Sequence, residues 1–417
     1  MTVKNKKIID VVVIGGGPAG MMAAGRAAEL GRSVVLLEKN QTLGKKLLIT
    51  GGGRCNVTNN KKDVRTMLSK YKGSDKFLFS AFSRFGVRET LEFFNKRGME
   101  TKEENEGRIF PASNKSQSVW DVLVKYMKEG KVRVQTDADV SGISLDKKTK
   151  DFCIKLKDGQ EIIAKKCILA TGGTSHPETG STGEGFSWLK KLGHKTSGSN
   201  VALVPVRLKD FWTKELSGIT LSDIKLTVFQ NNEKRGVEKG KLLFTHFGIS
   251  GPTVLNMSKD IGEYVQYGEV RIDIDLFPKL DHKELKKKLQ DILVKESNKK
   301  LKNTIDKLVQ SALGKAILEI AKIDGETFNH SVSSEDRIKL VAIMKALSLN
   351  VKGLLGADKA IVTSGGVSLE EVDFKTMQSR IVPNLYLVGD VLNIDRPSGG
   401  YSLQICWTSG YVAGSNC

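Results

Sequence analysis

The sequence predicts an α/β protein whose first domain is assembled from both ends of the chain around an inserted segment. Three observations support this prediction. Residues 1–40 show a strand, a glycine-rich turn, a helix and a strand; residues 196–351 alternate like β-strands and then become helical in period; and glycine-rich turns after apolar strands return beyond residue 357. Because 417 residues exceed what one hydrophobic core supports, two or three domains are expected.

The opening segment has the pattern of one βαβ unit. The apolar run IDVVVI precedes the turn GGGPAG, a helical stretch from Ala19 to Leu30 and a second apolar run, SVVLLE. Further on, VRVQ, FCIKLKDG and EIIAKKCILA predict short strands, and the Asp158–Gly159 turn predicts a β-hairpin in a small antiparallel ribbon. The region from Lys61 to Trp120 is expected to be helical and to close with a turn at RIFPAS.

The predicted domain limits follow these changes of pattern. Residues 1–195 and 357–417 form the nucleotide-binding domain, and residues 196–280 with about 340–356 form a β-rich inserted substrate domain. Residues 281–339 form a helical subdomain.

The charge balance requires that a polyanionic partner be considered. The chain has 66 Lys and Arg against 47 Asp and Glu, a net charge of +19. The excess gathers mostly at Lys4–Lys7 and between His282 and Lys307, where lysines alternate with apolar residues at helical spacing. A solvated helix face is the simpler interpretation, and a nucleic acid or an anionic lipid surface is the alternative.

Composition argues against several classes of protein. No apolar run reaches the roughly 18 residues of a membrane helix, and Gly15–Pro18 would break the apolar core of a secretory signal. The five cysteines are widely spaced without a C-x-x-C pair, so neither a disulfide framework nor a zinc site is predicted, and a cytoplasmic location is expected. No metalloprotease or serine-hydrolase motif occurs in the sequence, and no metal site is predicted.

Gly15, Gly17 and Gly20 form a G-x-G-x-x-G turn between the predicted strand and helix. In such a turn the first glycine permits the sharp bend, the second lets the backbone approach a pyrophosphate, and the third lets the helix pack closely on the sheet. Glu38 ends the second strand, where a carboxylate accepts hydrogen bonds from a ribose diol and repels a 2′-phosphate. A dinucleotide site is therefore predicted, without a distinction between NAD and FAD.

The C-terminal segment favours FAD. Gly389 and Asp390 follow an apolar strand, and a carboxylate there can accept hydrogen bonds from the ribityl hydroxyls of FAD. Gly399 and Gly400 open an apolar helix whose N-terminus can stabilise the flavin edge that becomes anionic on reduction. Each feature alone is equally consistent with a structural turn, but their order after the first motif favours a cofactor site.

Several long motifs resemble those of the BaiN and aminoacetone-oxidase family of bacterial flavoproteins. They are GKKLLITGGGRCNVTN, ILATGGTSHPETGSTGEG, LLFTHFGISGP, TSGGV and LVGDVLNIDRPSGGYSLQ, and the resemblance runs nearly end to end. It implies a discontinuous Rossmann-type FAD-binding domain of the two-dinucleotide-binding type, with an inserted β-barrel-like domain and a small helical domain. It also implies bound FAD, while the family's known substrates range from conjugated 3-oxo bile acids to a small aminoketone.

The resemblance further implies positions for the cofactor. It would put the GGGRCN segment against the isoalloxazine ring, where glycines allow close approach, and Val140 at the adenine. For Cys55, a packing role is favoured over a catalytic thiol. The predicted cofactor-binding residues are Gly15, Gly17, Pro18, Ala19, Gly20, Glu38, Lys39, Lys46, Gly52, Gly53, Arg54, Cys55, Asn56, Val140, Thr171, Gly172, Gly389, Asp390, Gly400, Tyr401, Ser402 and Leu403.

Three residues are candidates for catalysis. His246 precedes an expected helix start at Ser250–Pro252 and could move a proton, although a packing role at a domain junction is the slightly favoured alternative. Tyr401 begins the last predicted helix, and Arg54 belongs to the segment expected at the flavin ring. The histidines at 194, 282 and 330 are expected to be surface or hydrogen-bonded structural residues.

The sequence therefore predicts an FAD-dependent oxidoreductase that acts on a small molecule. In the favoured interpretation NAD(P)H supplies electrons transiently and the C=C bond of an enone, such as a 3-oxo steroid or bile acid, is reduced. One alternative is an oxidase of a small amine or aminoketone that uses O₂. The alternative from another class is a tRNA-associated flavoprotein, which the net charge would explain although no RNA-binding motif occurs in the sequence.

Overall fold

The computed structural model describes residues 8–61, 63–71, 73–356 and 362–417, so the basic cluster predicted at Lys4–Lys7 lies outside the described residues. The chain forms two compact units. Unit 1 comprises Met1–Ala202 and Ala357–Cys417, and unit 2 comprises Leu203–Gly356. Unit 2 begins at Leu203 rather than at residue 196, because Thr196–Ala202 forms a strand that pairs with a strand of unit 1.

The first part of unit 1 alternates strands and helices. Its strands are β1 (Ile9–Ile14), β2 (Val34–Leu37), β3 (Thr58–Asn59), β4 (Thr101–Glu104), β5 (Arg108–Pro111), β6 (Arg133–Gln135), β7 (Val140–Leu145), β8 (Phe152–Leu156), β9 (Glu161–Leu169) and β10 (Thr196–Ala202). Its helices are α1 (Pro18–Glu29), α2 (Lys45–Ile49), α3 (Val64–Leu68), α4 (Asp75–Arg84), α5 (Val87–Lys96), α6 (Ser116–Glu129) and α7 (Glu184–Lys191).

Unit 2 combines a barrel with helices. Its strands are β11 (Val206–Leu208), β12 (Thr220–Gln230), β13 (Glu233–Thr245), β14 (Gly248–Ser250), β15 (Val270–Asp275) and β16 (Leu347–Leu354). Its helices are α8 (Pro252–Gln266), α9 (His282–Lys295), α10 (Leu301–Ile305), α11 (Ser311–Ala321) and α12 (Ser334–Lys345). The chain then returns to unit 1 through β17 (Val362–Val367), β18 (Val372–Asp373), β19 (Gln378–Ser379), β20 (Leu385–Leu387) and α13 (Tyr401–Asn416).

The main sheet of unit 1 is built from both ends of the chain. Its strand order is β18-β19-β20-β9-β1-β2-β6, and β20, β9, β1, β2 and β6 run parallel. Val11, Val12 and Val13 of β1 have no exposed surface, as expected for a central parallel strand that is covered on both faces. The discontinuous α/β domain predicted from the sequence is confirmed.

Three local predictions have different outcomes. The hairpin at Asp158–Gly159 is confirmed, because β8 and β9 pair antiparallel on either side of it. The predicted turn at RIFPAS is wrong in its first half, since Arg108–Pro111 is β5, the central strand of a small sheet with β3 and β4. VRVQ contains β6, which pairs parallel with β2 and so belongs to the main sheet rather than to the antiparallel ribbon.

Helices α1 and α13 pack closely because small residues face each other. A Cβ at Gly410 would lie 2.5 Å from the Ala19 carbonyl oxygen, and one at Gly414 would lie 2.5 Å from the Ala23 carbonyl oxygen. The first helix after β1 is therefore held against the last helix of the chain, which brings the two halves of unit 1 together.

Unit 2 has one core. Six strands close into a barrel in the order β11-β14-β13-β12-β15-β16. Buried residues of α9, α11 and α12, such as Leu289, Ile317 and Leu340, belong to the same apolar cluster as the barrel residues Leu226 and Ile272. The helices predicted between residues 281 and 339 are present and share an apolar core with the barrel, and their limits as a subdomain stay a prediction. No helix in the described ranges has the length and apolarity needed to cross a bilayer.

Candidate functional site

A cavity lies within unit 1 where the carboxyl ends of β1, β2, β9 and β20 meet. In open α/β sheets this edge is the usual place for a ligand. The predicted cofactor residues that line it are Gly15, Gly17, Pro18, Ala19, Glu38, Lys39, Lys46, Val140, Thr171, Gly172, Gly389, Asp390, Ser402 and Leu403. The predicted residues outside its lining are Gly20, Gly52, Gly53, Arg54, Cys55, Asn56, Gly400 and Tyr401.

The glycine turn between β1 and α1 has the geometry that its motif requires. Gly15 has a φ of 106°, and a Cβ on it would lie 2.4 Å from the Ala170 carbonyl oxygen. A Cβ on Gly20 would lie 1.9 Å from the Gly15 carbonyl oxygen, so Gly20 allows the helix to approach the turn. A Cβ on Gly17 would meet nothing within 4 Å, which leaves open space where a ligand backbone contact is expected.

Glu38 is buried and stabilises this turn. Its Oε2 accepts a hydrogen bond of 2.8 Å from the Gly16 amide, and its Oε1 accepts bonds of 2.9 and 2.6 Å from the backbone and side-chain nitrogens of Asn40. Because each carboxylate oxygen can accept two hydrogen bonds, Oε2 retains the capacity to accept one from a ribose hydroxyl.

Asp390 also lines the cavity and lies beside two cations. Its Oδ1 accepts a hydrogen bond from the guanidinium of Arg396, and its Oδ2 lies 3.5 Å from Nζ of Lys46. Although burial raises the pKa of Asp390, the charges of Arg396 and Lys46 outweigh it and hold the pKa below its usual value. Arg396 was missed by the sequence analysis, and its place in the IDRPSGG segment gave no sign that its side chain is buried.

Two polar atoms at the cavity have no hydrogen-bond partner among the residues that the structure describes. They are Oγ1 of Thr171 and Oδ1 of Asp139, and both atoms are buried away from solvent. The other carboxylate oxygen of Asp139 pairs with Nζ of Lys157 at 2.7 Å. Because buried polar atoms are normally hydrogen-bonded, these two atoms indicate a ligand with polar groups at this wall. Asp139 was not predicted, although it directly precedes Val140.

The GGGRCN segment forms a tight turn beside the cavity-lining residue Thr50. A Cβ on Gly52 or on Gly53 would meet nothing within 4 Å, so backbone here is open to an approaching group. Arg54 turns away to the small sheet, where it pairs with Glu104, hydrogen-bonds Asn114 and lies 4.2 Å above the Phe110 ring. The guanidinium of Arg54 therefore has a structural role in this conformation.

Cys55 has no exposed surface, and burial raises its pKa to about 12. Because the thiolate is the reactive form of cysteine, this side chain is unreactive near neutral pH. The geometry agrees with the packing role favoured for Cys55 over a catalytic thiol.

Tyr401 begins α13 directly after Gly400, which has a left-handed φ of 98°. Its ring is buried and stands edge-on to Tyr71, whose hydroxyl donates a 3.0 Å hydrogen bond to the Tyr401 carbonyl. Burial raises the pKa of the Tyr401 phenol to about 12, so the phenol keeps its proton at neutral pH. Its neighbours Ser402 and Leu403 line the cavity.

His246 lies in unit 2, in the two-residue turn between β13 and β14. The side chain is exposed, and its ring stands edge-on to Phe247 with 4.8 Å between the ring centroids. The helix expected after this motif begins at Pro252. Whether His246 moves a proton stays a prediction.

His194 takes part in a chain of hydrogen bonds that has the order of a serine-hydrolase triad. Its Nδ1 lies 2.9 Å from Oε2 of Glu371, and its Nε2 lies 2.9 Å from Oγ of Ser379. Ser379 is buried, however, and its Oγ also accepts hydrogen bonds from the amides of Ile381 and Val382. An oxygen engaged in this way is not a nucleophile, so the network is structural, as expected for His194.

Comparison with known proteins places these features in a family. The family model described as "HI0933-like protein Rossmann domain" matches residues 9–416. The chain is 32% identical to a 3-dehydro-bile acid delta(4,6)-reductase of Clostridium scindens, over 96% of this chain and 97% of that protein. It is 30% identical to a ribosomal RNA dihydrouridine synthase of Escherichia coli, over 97% and 96% of the two chains. A protein of the same name from Haemophilus influenzae is also 30% identical, over 96% of each chain.

Solved structures show the same fold at low identity. A 3-ketosteroid delta1-dehydrogenase from Sterolibacterium denitrificans superposes with a TM-score of 0.56 at 12% identity, over 98% of each chain. A 3-ketosteroid-delta4-(5alpha)-dehydrogenase from Rhodococcus jostii gives a TM-score of 0.51 at 16% identity, over 100% of this chain and 98% of that one.

Proposed function

The chain belongs to the HI0933-like Rossmann-domain family of FAD-dependent oxidoreductases, and from this premise we propose that it reduces a C=C bond conjugated to a carbonyl group. The observation that carries the proposal is the pair of reactions named for its full-length relatives. A 3-oxo group polarises the delta(4,6) double bonds of a bile acid, and the C4 carbonyl of uridine polarises its C5=C6 bond. Both names therefore describe the addition of a hydride and a proton to a polarised alkene.

The cavity residues fit FAD. The open space at Gly17 suits a pyrophosphate at the start of α1, and the remaining acceptor capacity of Glu38 suits a ribose hydroxyl. Asp390 offers a carboxylate to ribityl hydroxyls, while Thr171 and Asp139 offer unpaired oxygens to other polar groups. When bound, FAD supplies an isoalloxazine ring that accepts and delivers a hydride.

For the electron donor we propose NAD(P)H. It would bind transiently where the substrate binds, because the sequence has no second G-x-G-x-x-G turn after a strand that could form a separate nicotinamide site. The competing proposal is an oxidase of a small amine or aminoketone that transfers electrons to O₂. The named reductase relative favours the first proposal.

A hydride acceptor of this kind also needs a proton. Tyr401 can donate one because its buried phenol stays protonated, and it lies next to two cavity-lining residues. His246 remains the candidate from unit 2. The contacts of Arg54 with Glu104 and Asn114 favour a positioning role for that residue over proton transfer.

A second candidate substrate is a uridine in ribosomal RNA. It is favoured by the net charge of +19 together with two relatives that are named ribosomal RNA dihydrouridine synthases. This candidate keeps the reaction class and changes only the molecule that carries the conjugated C=C bond. The alternative considered from the sequence alone was a tRNA-associated flavoprotein, whereas the names of these relatives favour ribosomal RNA.

The test is an anaerobic half-reaction series on the purified holoprotein. NADH or NADPH is added while flavin absorbance is followed, and the reduced protein is then mixed with a 3-oxo-4-ene steroid, with unmodified ribosomal RNA, or with oxygen. Reoxidation by the steroid or the RNA, with the hydrogenated product found by mass spectrometry, supports the proposal. Rapid reoxidation by oxygen alone, with an amine as the only effective reductant, would replace it with the oxidase.

A further inference from the structure

We propose that unit 2 carries a contact surface for single-stranded RNA, formed by residues 299–302 and 325–330 and called here the lysine–aromatic ribbon. This proposal rests on the second candidate substrate of the proposed function, ribosomal RNA. A macromolecular substrate needs a binding surface in addition to the cavity of unit 1.

The two segments of the ribbon run antiparallel. The Leu301 amide donates to the Thr327 carbonyl at 2.8 Å, the Asn329 amide donates to the Lys299 carbonyl at 2.9 Å, and Lys300 pairs with Phe328 as an antiparallel β-bridge. Side chains of directly opposed residues lie on the same face of such a pair.

The two faces of the ribbon differ in character. Leu301 is fully buried, and the buried Asn329 side chain donates to the Glu296 carbonyl and to Oγ1 of Thr304, so this face is anchored in unit 2. The outward face carries Lys300, Lys302, Glu326, Phe328 and His330.

The aromatic pair on the outward face is exposed and parallel. The planes of Phe328 and His330 differ by 11°, with 5.7 Å between the ring centroids, and the Phe328 residue is 47% exposed. His330 is held in place by a 3.0 Å contact between its Nδ1 and the Ser297 carbonyl. Parallel exposed rings beside lysines resemble the aromatic groups on which proteins stack bases of single strands.

The surrounding charge is complementary to phosphate. Residues 279–307 contain ten lysines against five Asp and Glu. On the ribbon, Glu326 holds two lysines, with Nζ of Lys300 at 2.5 Å and Nζ of Lys302 also in contact. These lysines are about half exposed, so a phosphate can replace the carboxylate as their partner.

The experiment measures the fluorescence anisotropy of a labelled 12-nucleotide oligouridine RNA with the full-length holoprotein between 50 and 200 mM salt. The variants are Phe328→Ala, Phe328→Tyr, the pair Lys300→Gln and Lys302→Gln, and Glu326→Gln. Matched controls are Tyr267→Ala, another exposed aromatic of unit 2, and the pair Lys234→Gln and Lys239→Gln in the exposed first half of β13. Thermal melting verifies that each variant is folded.

Phe328→Ala should weaken binding about fivefold to a hundredfold with little change in salt dependence, and Phe328→Tyr should restore it. The double lysine variant should reduce the slope of log K against log salt by about 1.4, and Glu326→Gln should tighten binding. The controls should behave like the wild type. Wild-type protein that does not bind the RNA, or control variants that lose as much affinity as the ribbon variants, would overturn the proposal.

The RNA-binding proposal and the proposed reaction can be contradicted separately. None of the ribbon residues lines the cavity of unit 1, so reoxidation of the reduced protein by a small enone should be the same in all folded variants. Enone turnover without RNA binding would overturn only the ribbon, whereas ribbon-dependent RNA binding without turnover of either substrate would overturn only the proposed reaction.

Discussion

Asp390 and Arg396 form an ion pair at the cavity wall in which the arginine side chain has no exposed surface. The guanidinium also donates to Oγ of Ser402 at 3.0 Å and to the Ile394 carbonyl at 2.5 Å. It thereby ties the turn after β20 to the first turn of α13. Asp390 is therefore both a candidate ligand for the cofactor and the carboxylate that compensates a buried charge.

Asp390→Ala should destabilise unit 1 as well as weaken FAD binding. Removing one partner of a buried ion pair costs on the order of 3–5 kcal/mol, because the other charge is left uncompensated. Urea unfolding of the apoprotein measures this loss. Asp390→Asn, which keeps an acceptor oxygen, should lose less, and combining either change with Arg396→Met should recover part of the stability. An apoprotein of unchanged stability after Asp390→Ala would show that Asp390 does not compensate the buried charge of Arg396.

The same pair predicts a pH dependence. The folded-state pKa of Asp390 is depressed, so its contribution to the free energy of unfolding is fully present above the unfolded pKa near 3.9 and is lost as pH falls through the folded pKa. Melting temperatures between pH 2 and pH 7 should fall less steeply at the acid end for Asp390→Asn than for the wild type. Parallel curves would contradict the prediction.

Gly17→Ala and Gly20→Ala should separate cofactor binding from folding. The added methyl at Gly17 meets open space, and the backbone there is extended with a φ of −77°, so the apoprotein should keep its melting temperature. Because the methyl occupies the space expected for the pyrophosphate, FAD affinity should fall about tenfold or more. At Gly20 the methyl collides with the Gly15 carbonyl, so that variant should be unstable. Equal FAD affinity in wild type and Gly17→Ala would remove the glycine turn from the site.

The purified protein should be yellow and should release FAD rather than FMN on denaturation. The glycine turn and Glu38 suit a pyrophosphate and the ribose of an adenosine, both of which FMN lacks. Chromatography of the released flavin checks this outcome. A colourless protein that FAD cannot reconstitute would contradict it.

His246→Ala and Tyr401→Phe should identify the proton donor. Loss of a general acid costs roughly a hundredfold to ten-thousandfold in rate, while FAD binding should be preserved in both variants. Single-turnover reoxidation by an enone is measured across pH. If His246 is the donor, the rate falls only in His246→Ala. If Tyr401 is the donor, the rate falls only in Tyr401→Phe, and the pKa of Tyr401, raised to about 12, predicts a wild-type rate that stays level to high pH. A loss below tenfold in His246→Ala would support the packing role.

The sequence predicted the parts of the fold that depend on local pattern. The βαβ unit from Ile9 to Leu37 and the hairpin at Asp158–Gly159 were predicted because apolar runs and glycine turns determine them locally. β5 was predicted as a turn because its strand character depends on partners at Thr58 and Thr101, which are distant in sequence.

The site was predictable where a motif fixes backbone geometry and not where side chains meet across the fold. Gly15, Gly17, Glu38 and Asp390, which the motifs singled out, line the cavity. Asp139 and Arg54 pair with Lys157 and Glu104, which are distant in sequence, so spacing gave no signal for these contacts. Arg396 is six residues from Asp390, but only the folded turn shows that its side chain is buried and faces the carboxylate.

The discontinuous sheet of unit 1 has a consequence for biosynthesis. Translation delivers β1, α1 and β9 first, then the whole of unit 2, and only afterwards β20 and α13. Until β20 arrives, β9 has an open edge next to the buried apolar residues Cys167, Ile168 and Leu169, the kind of edge that promotes misassociation. The nascent chain therefore passes through an interval in which unit 2 can be complete while the main sheet of unit 1 still has an unpaired edge.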